Sequence, residues 1–409
     1  MKTFQTIIIG GGAAGLTIAA MLAKTQKNIL VLERNDRVGK KLSSTGNGQG
    51  NVTNLGVLHA EYFSVAKNSD GRRIENILRT YDDTALRADL KKLGVITLAD
   101  EKGRVYPAGR QASSLTDALR FYVQEQGVTV GVGARVTSME REKNGLLITA
   151  ETSEGREEYR AENAVLCTGG KAAKNFGTDG SAYALATALG HSVTPLYPSL
   201  VQLKTDTKWT KTLKGIRIND GVVTLLQGNK TLAQEKGDII FTDYGVSGDA
   251  IFRISAFVGA KIDKEDLRLR IDLLPEVAEE ELRAMLGKKR ATFTQLPLNE
   301  LLGGMLNNQV GRAVLKRADN DLEKAARIAK GFEMDVTGSL GFDYAQVTKG
   351  GIPLSETDEN LQSIYVDGLY FAGEILDVDG QCGGYNLQWA YASAKTVANA
   401  ILMKGRGQV

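Results

Sequence analysis

The sequence predicts an α/β protein organised around a Rossmann-like, dinucleotide-binding parallel sheet that is split by a β-rich insertion and a short helical one. Three observations predict it. The β-branched run Thr6–Ile9 leads into Gly10-Gly11-Gly12-Ala13-Ala14-Gly15, followed by an apolar helical pattern from Ala14 to Ala23. A second apolar run, Ile29–Leu32, ends at Glu33, so strand, turn, helix and strand fit within about 30 residues. Near the other terminus come a short apolar run, Leu369–Ala372, a glycine-rich loop and a helical stretch, Tyr385–Met403.

The intervening elements read as follows. Ser113–Gln126 has a helical pattern, with serine at its start and Gly127 just past its last turn. Between Val128 and Tyr159, short β-type stretches alternate with turns at Glu142–Gly145 and Ser153–Gly155, which predicts a meander hanging off the main sheet. Ala164–Cys167 reads as a separate buried strand closed by Gly169 and Gly170. Beyond Pro195 and Pro198, the runs Gly221–Leu226, Asp238–Thr242 and Leu267–Ile271 alternate with turns, as in a small barrel or sandwich. From Pro275 to Lys330 the spacing is helical, with stops expected at Gly287, Pro297 and Gly331; β character returns at Phe332–Val336. The expected boundaries are 1–195 and 346–409 for the dinucleotide domain, 196–274 and 332–345 for the β-rich insertion, and 275–331 for the helical subdomain.

Composition narrows the chemistry. The chain has 409 residues, enough for two or three domains of roughly 100–200 residues each. Lysine and arginine number 51 against 48 acids, a net charge of +3, and no block of like charges suggests a nucleic-acid surface. No nucleic-acid partner is therefore expected. The N-terminal segment lacks the apolar core and cleavage site of a signal peptide, and no apolar run is long enough to span a bilayer. The only cysteines, Cys167 and Cys382, lie far apart and form no C-x-x-C pair. Together these features predict a cytoplasmic protein with reduced thiols. With histidine only at 59 and 191, a histidine metal site or acid–base pair has little to draw on, and no metal is expected. The reactive chemistry is expected to belong to a bound cofactor.

The two glycine-rich ends suggest which cofactor. In Gly10–Gly15, Gly10 permits the tight turn, Gly12 lets a pyrophosphate approach the backbone, and Gly15 allows close helix–strand packing. Glu33 suits adenosine ribose hydroxyls, and the helix N-terminus suits phosphate. That fingerprint alone does not separate NAD from FAD. Glu374, at the end of the Leu369–Ala372 run, would accept bonds from ribityl hydroxyls, which only a flavin dinucleotide has. The loop Gly380-Gln381-Cys382-Gly383-Gly384-Tyr385-Asn386-Leu387 would turn N–H groups toward the flavin edge that gains negative charge on reduction. FAD is the expected cofactor, held non-covalently because no histidine stands in these motifs.

Further stretches carry a family resemblance. These are Gly39–Gly48 with Asn51-Val52-Thr53-Asn54, Val165–Gly170, Phe241–Gly248, and Phe371–Gly380 with Gly383–Trp389. Together with the N-terminal fingerprint they resemble the bacterial YhiN/BaiN-type flavoproteins, an NAD(P)/FAD-dependent oxidoreductase group that includes aminoacetone oxidase. The resemblance implies an FAD domain of the glutathione-reductase/fumarate-reductase type, split by a β-barrel-like domain into which a helical one is inserted. By carry-over, the cofactor contacts are Gly10, Gly12, Ala14, Gly15, Glu33, Arg34, Lys41, Gly46, Asn51, Val136, Thr168, Gly169, Glu374, Asp377, Gly384, Asn386 and Leu387. The chain departs from the family pattern at Gln49-Gly50, where members carry Arg-Cys. It departs again at Asp243 and Asp249 in the middle motif, and at Gln381-Cys382 where Pro-Thr is common.

The expected activity is FAD-dependent oxidoreduction of a small-molecule substrate, with Asp243, Tyr385 and Asn386 as candidate catalytic residues and Tyr244 and Cys382 beside them. Three readings stand open. In the first, a small amine, its ammonium held by Asp243, reduces the flavin and oxygen reoxidises it. In the second, NAD(P)H feeds the reduction of an unsaturated or carbonyl substrate. No second G-x-G-x-x-G supports a dedicated nicotinamide domain, since Gly131-Val132-Gly133 lacks the third glycine. In the third, the protein modifies or binds RNA. The sequence leaves the oligomeric state open.

Overall fold

The computed structural model describes residues 1–66, 71–261 and 266–406. The chain divides into two compact units, Met1–Tyr197 with Val347–Val409, and Pro198–Gln346.

The first unit is built on a mixed sheet. Its strands are β1 (Lys2–Ile9), β2 (Ile29–Glu33), β3 (Thr129–Val132), β4 (Arg135–Glu142), β5 (Gly145–Thr152), β6 (Gly155–Leu166) and β7 (Leu369–Phe371). The sheet order is β3-β2-β1-β6-β5-β4, with β7 also paired to β6. β1, β2, β3, β6 and β7 run parallel; the apolar runs of β1, β2, β6 and β7 are buried, as expected for strands covered on both faces, whereas the edge strand β3 stays half-exposed. Helices α1 (Ala13–Leu22), α2 (Ala112–Glu125) and α3 (Tyr385–Arg406) pack around it, α3 directly on α1.

Two expectations change here. The residues after Val128 do not hang off the sheet. β3 is a parallel partner of β2, while β4 and β5 extend the same sheet through β6. The separate strand expected at 164–167 is the end of β6. That strand begins half-exposed and antiparallel to β5, then becomes fully buried between β1 and β7, and the switch in surroundings makes one strand look like two.

The second unit contains a closed six-stranded barrel. Its order is Leu203–Thr205, Gly245–Ser247, Lys230–Phe241, Arg217–Gln227, Leu267–Asp272 and Phe332–Ser339. Helices Glu279–Thr292, Asn308–Arg317 and Leu322–Lys330 share the barrel's apolar core. Gly287 does not stop its helix. It lies exposed inside Glu279–Thr292, where a glycine costs only about 1 kcal/mol relative to alanine, too little to break a helix anchored by buried Leu282 and Leu286. Among the described residues no helix is long and apolar enough to cross a membrane.

Candidate FAD and active site

The N-terminal turn has the shape of a phosphate cradle. Gly10 turns at φ +106°, and its N–H donates to Leu32 O at 2.8 Å. Gly15 packs so closely beneath that a Cβ there would stand 1.9 Å from Gly10 O. Nothing lies within 4 Å of a Cβ built on Gly12, the N-cap of α1, and the first turn carries no acidic side chain. The open, positive end of α1 is thus free to face an anion. Ala14, buried in α1, faces Gly373 across the contact with the C-terminal segment.

Buried Glu33 ends β2 beside this turn. Its Oε2 accepts from Gly11 N at 2.9 Å, and Oε1 accepts from Asn35 N and Nδ2, both at 2.8 Å. Oε2 therefore keeps a lone pair for a hydroxyl. Arg34 Nη1 reaches Asp179 Oδ1 at 2.7 Å and Ser181 Oγ at 3.3 Å. Burial pushes the Asp179 carboxyl up, but the bonds from Arg34 and Ser181 outweigh it and hold the group well below the usual carboxylate range.

The C-terminal half brings Glu374 to the same unit. Its Oε2 lies 2.7 Å from Lys41 Nζ, and its Oε1 accepts from Thr348 N at 2.9 Å. Gly384, at φ +101°, sits where a Cβ would stand 2.3 Å from Thr53 O, so glycine is required for the loop to lie on the Thr53–Asn54 segment. Asn54 Nδ2 donates to Gly383 O at 3.1 Å, and Thr53 Oγ1 to Gln388 Oε1 at 2.6 Å, tying the two ends together. Gly46 (φ +58°) lies on the preceding loop, and Asn51 Nδ2 braces Thr53 O and Val105 O at 2.9 and 3.1 Å. Val136 sits at a register shift in β4, and Leu387 is half-buried against the core.

Two expected ligands have their side chains engaged by protein. Fully buried Asp377 accepts from Ser64 Oγ and from the N–H groups of Val65 and Ala66, at 2.8–2.9 Å for the shortest bond to each. Asn386 exchanges bonds with Gly380, 2.9 Å from its N and 2.8 Å to its O, and also donates to Gln381 O at 3.2 Å. The Asn386 amide thus fastens the glycine loop. Tyr385 opens α3, and its carbonyl accepts from Tyr62 Oη at 3.1 Å. Cys382 is half-buried on the loop and joined in no disulfide, whereas Cys167 is buried beside Gly10, and burial pushes its thiol up.

Asp243 and Tyr244 belong to the barrel unit. Asp243 stands on the turn between Lys230–Phe241 and Gly245–Ser247, exposed, with Lys214 Nζ at 2.5 Å. That bond holds its carboxyl below the ordinary value.

The first unit fits an FAD. Buried Thr168 Oγ1, next to the Gly10 turn, has no hydrogen-bond partner in the protein, nor does the buried Tyr183 hydroxyl. Burial, then the nearby Glu374 and Asp377 carboxylates, push the Tyr183 phenol up, so it stays a donor. Gly169 (φ +73°) follows Thr168 and approaches Glu374. Asp179, Thr348 and Tyr183 were not picked out from sequence. Asp179 had a signal, the Gly-Thr-Asp-Gly turn at 177–180 that follows the Thr-Gly-Gly after β6. Tyr183 and Thr348 had none.

Fold and site together define an FAD-dependent oxidoreductase of the Rossmann type. The family model described as "HI0933-like protein Rossmann domain" matches residues 4–400, and the chain belongs to that family. It is 32% identical to the 3-dehydro-bile acid delta(4,6)-reductase of Clostridium scindens, over 96% of this chain and 98% of that one. It is 29% identical to the ribosomal RNA dihydrouridine synthase of Haemophilus influenzae, over 97% and 98%. In fold it is similar to the 3-ketosteroid-delta4-(5alpha)-dehydrogenase of Rhodococcus jostii RHA1, with a TM-score of 0.54, 16% identity and 97% of each chain covered.

Proposed function

We propose that this enzyme reduces a carbon–carbon double bond conjugated to a carbonyl, with NAD(P)H as the electron source. One observation carries the reading. Two relatives matched over nearly their whole lengths are named for different substrates, a 3-dehydro-bile acid and uridine in RNA, yet both names describe saturation of such a bond. FAD, when bound, would supply the hydride equivalent for such a reduction, and the protein's own residues would supply the proton for the α-carbon. Glu33, Thr168, Lys41 with Glu374, and the Gly384–Leu387 turn hold the cofactor. The Tyr385 phenol, on the loop that Asn386 pins, is the proton donor.

The amine-oxidising reading leans on Asp243 as the seat of an ammonium, and that carboxylate already pairs with Lys214. In the FAD unit Glu374 is bonded to Lys41, Asp377 to the turn at 64–66, and Asp379 to Lys349 at 3.2 Å. Each of these carboxylates already has a partner within the protein, so none stands as an unpaired anion awaiting a substrate cation.

The test is anaerobic. Holoenzyme mixed with NADH or NADPH should lose its yellow flavin band and regain it when 4-androstene-3,17-dione or a uridine-containing RNA fragment is added, with the saturated product formed. Bleaching by aminoacetone, peroxide on aeration and indifference to both acceptors would overturn the proposal in favour of amine oxidation.

A further inference from the structure

Around Gln49-Gly50 a neighbouring segment presents a cation, Arg110, to the 44–50 loop. Gly50 turns at φ +77°, and a Cβ there would stand 2.9 Å from Ala112 Cα and 3.3 Å from Pro107 Cδ. Without that Cβ, the segment Pro107–Ala112 lies directly on the 44–50 loop, and Ala112 N donates to Gly48 O at 2.7 Å. The segment is held from behind as well. Arg104–Pro107 pairs with Thr53–Asn54, and Val52 N donates to Val105 O at 2.8 Å.

At the tip of this segment Arg110 takes a left-handed backbone, φ +48°, uncommon for a residue with a side chain. Its guanidinium stacks 4.0 Å over the Tyr106 ring, and Nη1 reaches Gln49 Oε1 at 3.4 Å. Among the described residues no carboxylate pairs with it, and Gln49 takes only one of its five donors. An arginine stacked on an aromatic ring, with its fork turned outward, is suited to bidentate capture of an oxoanion.

We propose that Arg110 is a specificity residue of this enzyme, holding a carboxylate on the substrate from its exposed perch beside Gln49. It rests on the proposed reaction, with the 41–51 loop beside the flavin. A cation on a rigid, stacked perch selects among unsaturated ketones by their acidic tail without taking part in electron transfer.

The test compares a neutral enone, 4-androstene-3,17-dione, with a carboxylated one, 3-oxo-4-cholenoate. In wild-type holoenzyme the ratio of kcat/KM for the carboxylated over the neutral substrate should exceed one. R110Q should lower that ratio about tenfold through KM, and R110K only partly. The double substitution Q49R with R110Q should restore it, which a purely structural arginine would not allow. A ratio unmoved by R110Q, or not recovered in the double variant, overturns the inference. If wild type reduces no enone at all, the proposed reaction fails. Arg110 is then judged by titrating oxidised holoenzyme with 3-oxo-4-cholenoate and following the flavin spectrum. A weaker dissociation constant in R110Q, recovered in the double variant, supports it, and equal constants overturn it. Loss of uridine-RNA binding in R110Q with carboxylate binding intact overturns the carboxylate as the ligand.

Discussion

Lys41 Nζ stands 2.7 Å from Glu374 Oε2, joining two residues 333 positions apart across the junction of the two chain ends. Both side chains are about one-quarter exposed or less, so the pair is only partly screened. Lys41→Met should leave Glu374 with the Thr348 N–H as its remaining partner and weaken FAD binding by about 1–3 kcal/mol. Fluorescence titration of apoprotein with FAD measures this, and an unchanged dissociation constant would count against Lys41 as part of the cofactor site.

Thr168 makes an unusual target because its buried hydroxyl bonds to nothing in the protein. Thr168→Val should leave the melting temperature of the apoprotein within a degree or so of wild type, or slightly above it. FAD affinity should fall by about 1 kcal/mol, the net worth of one hydrogen bond. Equal losses in apo stability and in affinity would show that the hydroxyl serves the fold instead.

Gly384→Ala combines a left-handed backbone with a collision against Thr53 O. The substitution should destabilise the protein by about 2–4 kcal/mol and lower its flavin content on purification. Urea unfolding followed by far-UV circular dichroism gives the first number, and absorbance ratios give the second. A wild-type midpoint would mean that the loop has another conformation open to it.

His191 sets a pH dependence. It is buried, with Nδ1 3.1 Å from Glu356 Oε2 and Nε2 2.7 Å from Ser363 Oγ. Burial lowers its pKa below the ordinary 6.5, and the bond to Glu356 only partly offsets this. As pH falls below about 6.5 the unfolded chain takes up a proton that the native chain refuses, so stability is lost from there down to the folded-state value. His191→Gln should flatten that limb of the stability–pH curve, seen as chemical-denaturation midpoints between pH 7 and 5. An equally steep limb would assign the loss to carboxylates.

The dinucleotide unit was legible because its signals are local. Gly10, Gly15, Glu33 and their flanking strands lie within one stretch, and each has a physical reason to be the residue it is. The pairing of Lys41 with Glu374 was not legible. Both were singled out as separate cofactor contacts, and no pattern within either segment reports a partner across the fold. Asp377 and Asn386 carry a second task that the sequence did not report. Their motif marks them as special, but their side chains hold the turn at 64–66 and the glycine loop. Composition could not reveal Arg110 either, since its meaning depends on the missing Cβ of Gly50 and the ring of Tyr106.

β6 also has a consequence for how the chain is made. Ala164–Leu166 meets its last partner, Leu369–Phe371, only after the entire barrel unit has been synthesised. Until then that edge is apolar and offers unpaired backbone groups to any neighbour. Closing so distant a contact is slow, and the waiting half-sheet is prone to self-association. A nascent or clipped chain lacking its final segment would therefore be a candidate for chaperones or inclusion bodies, not a smaller yellow protein.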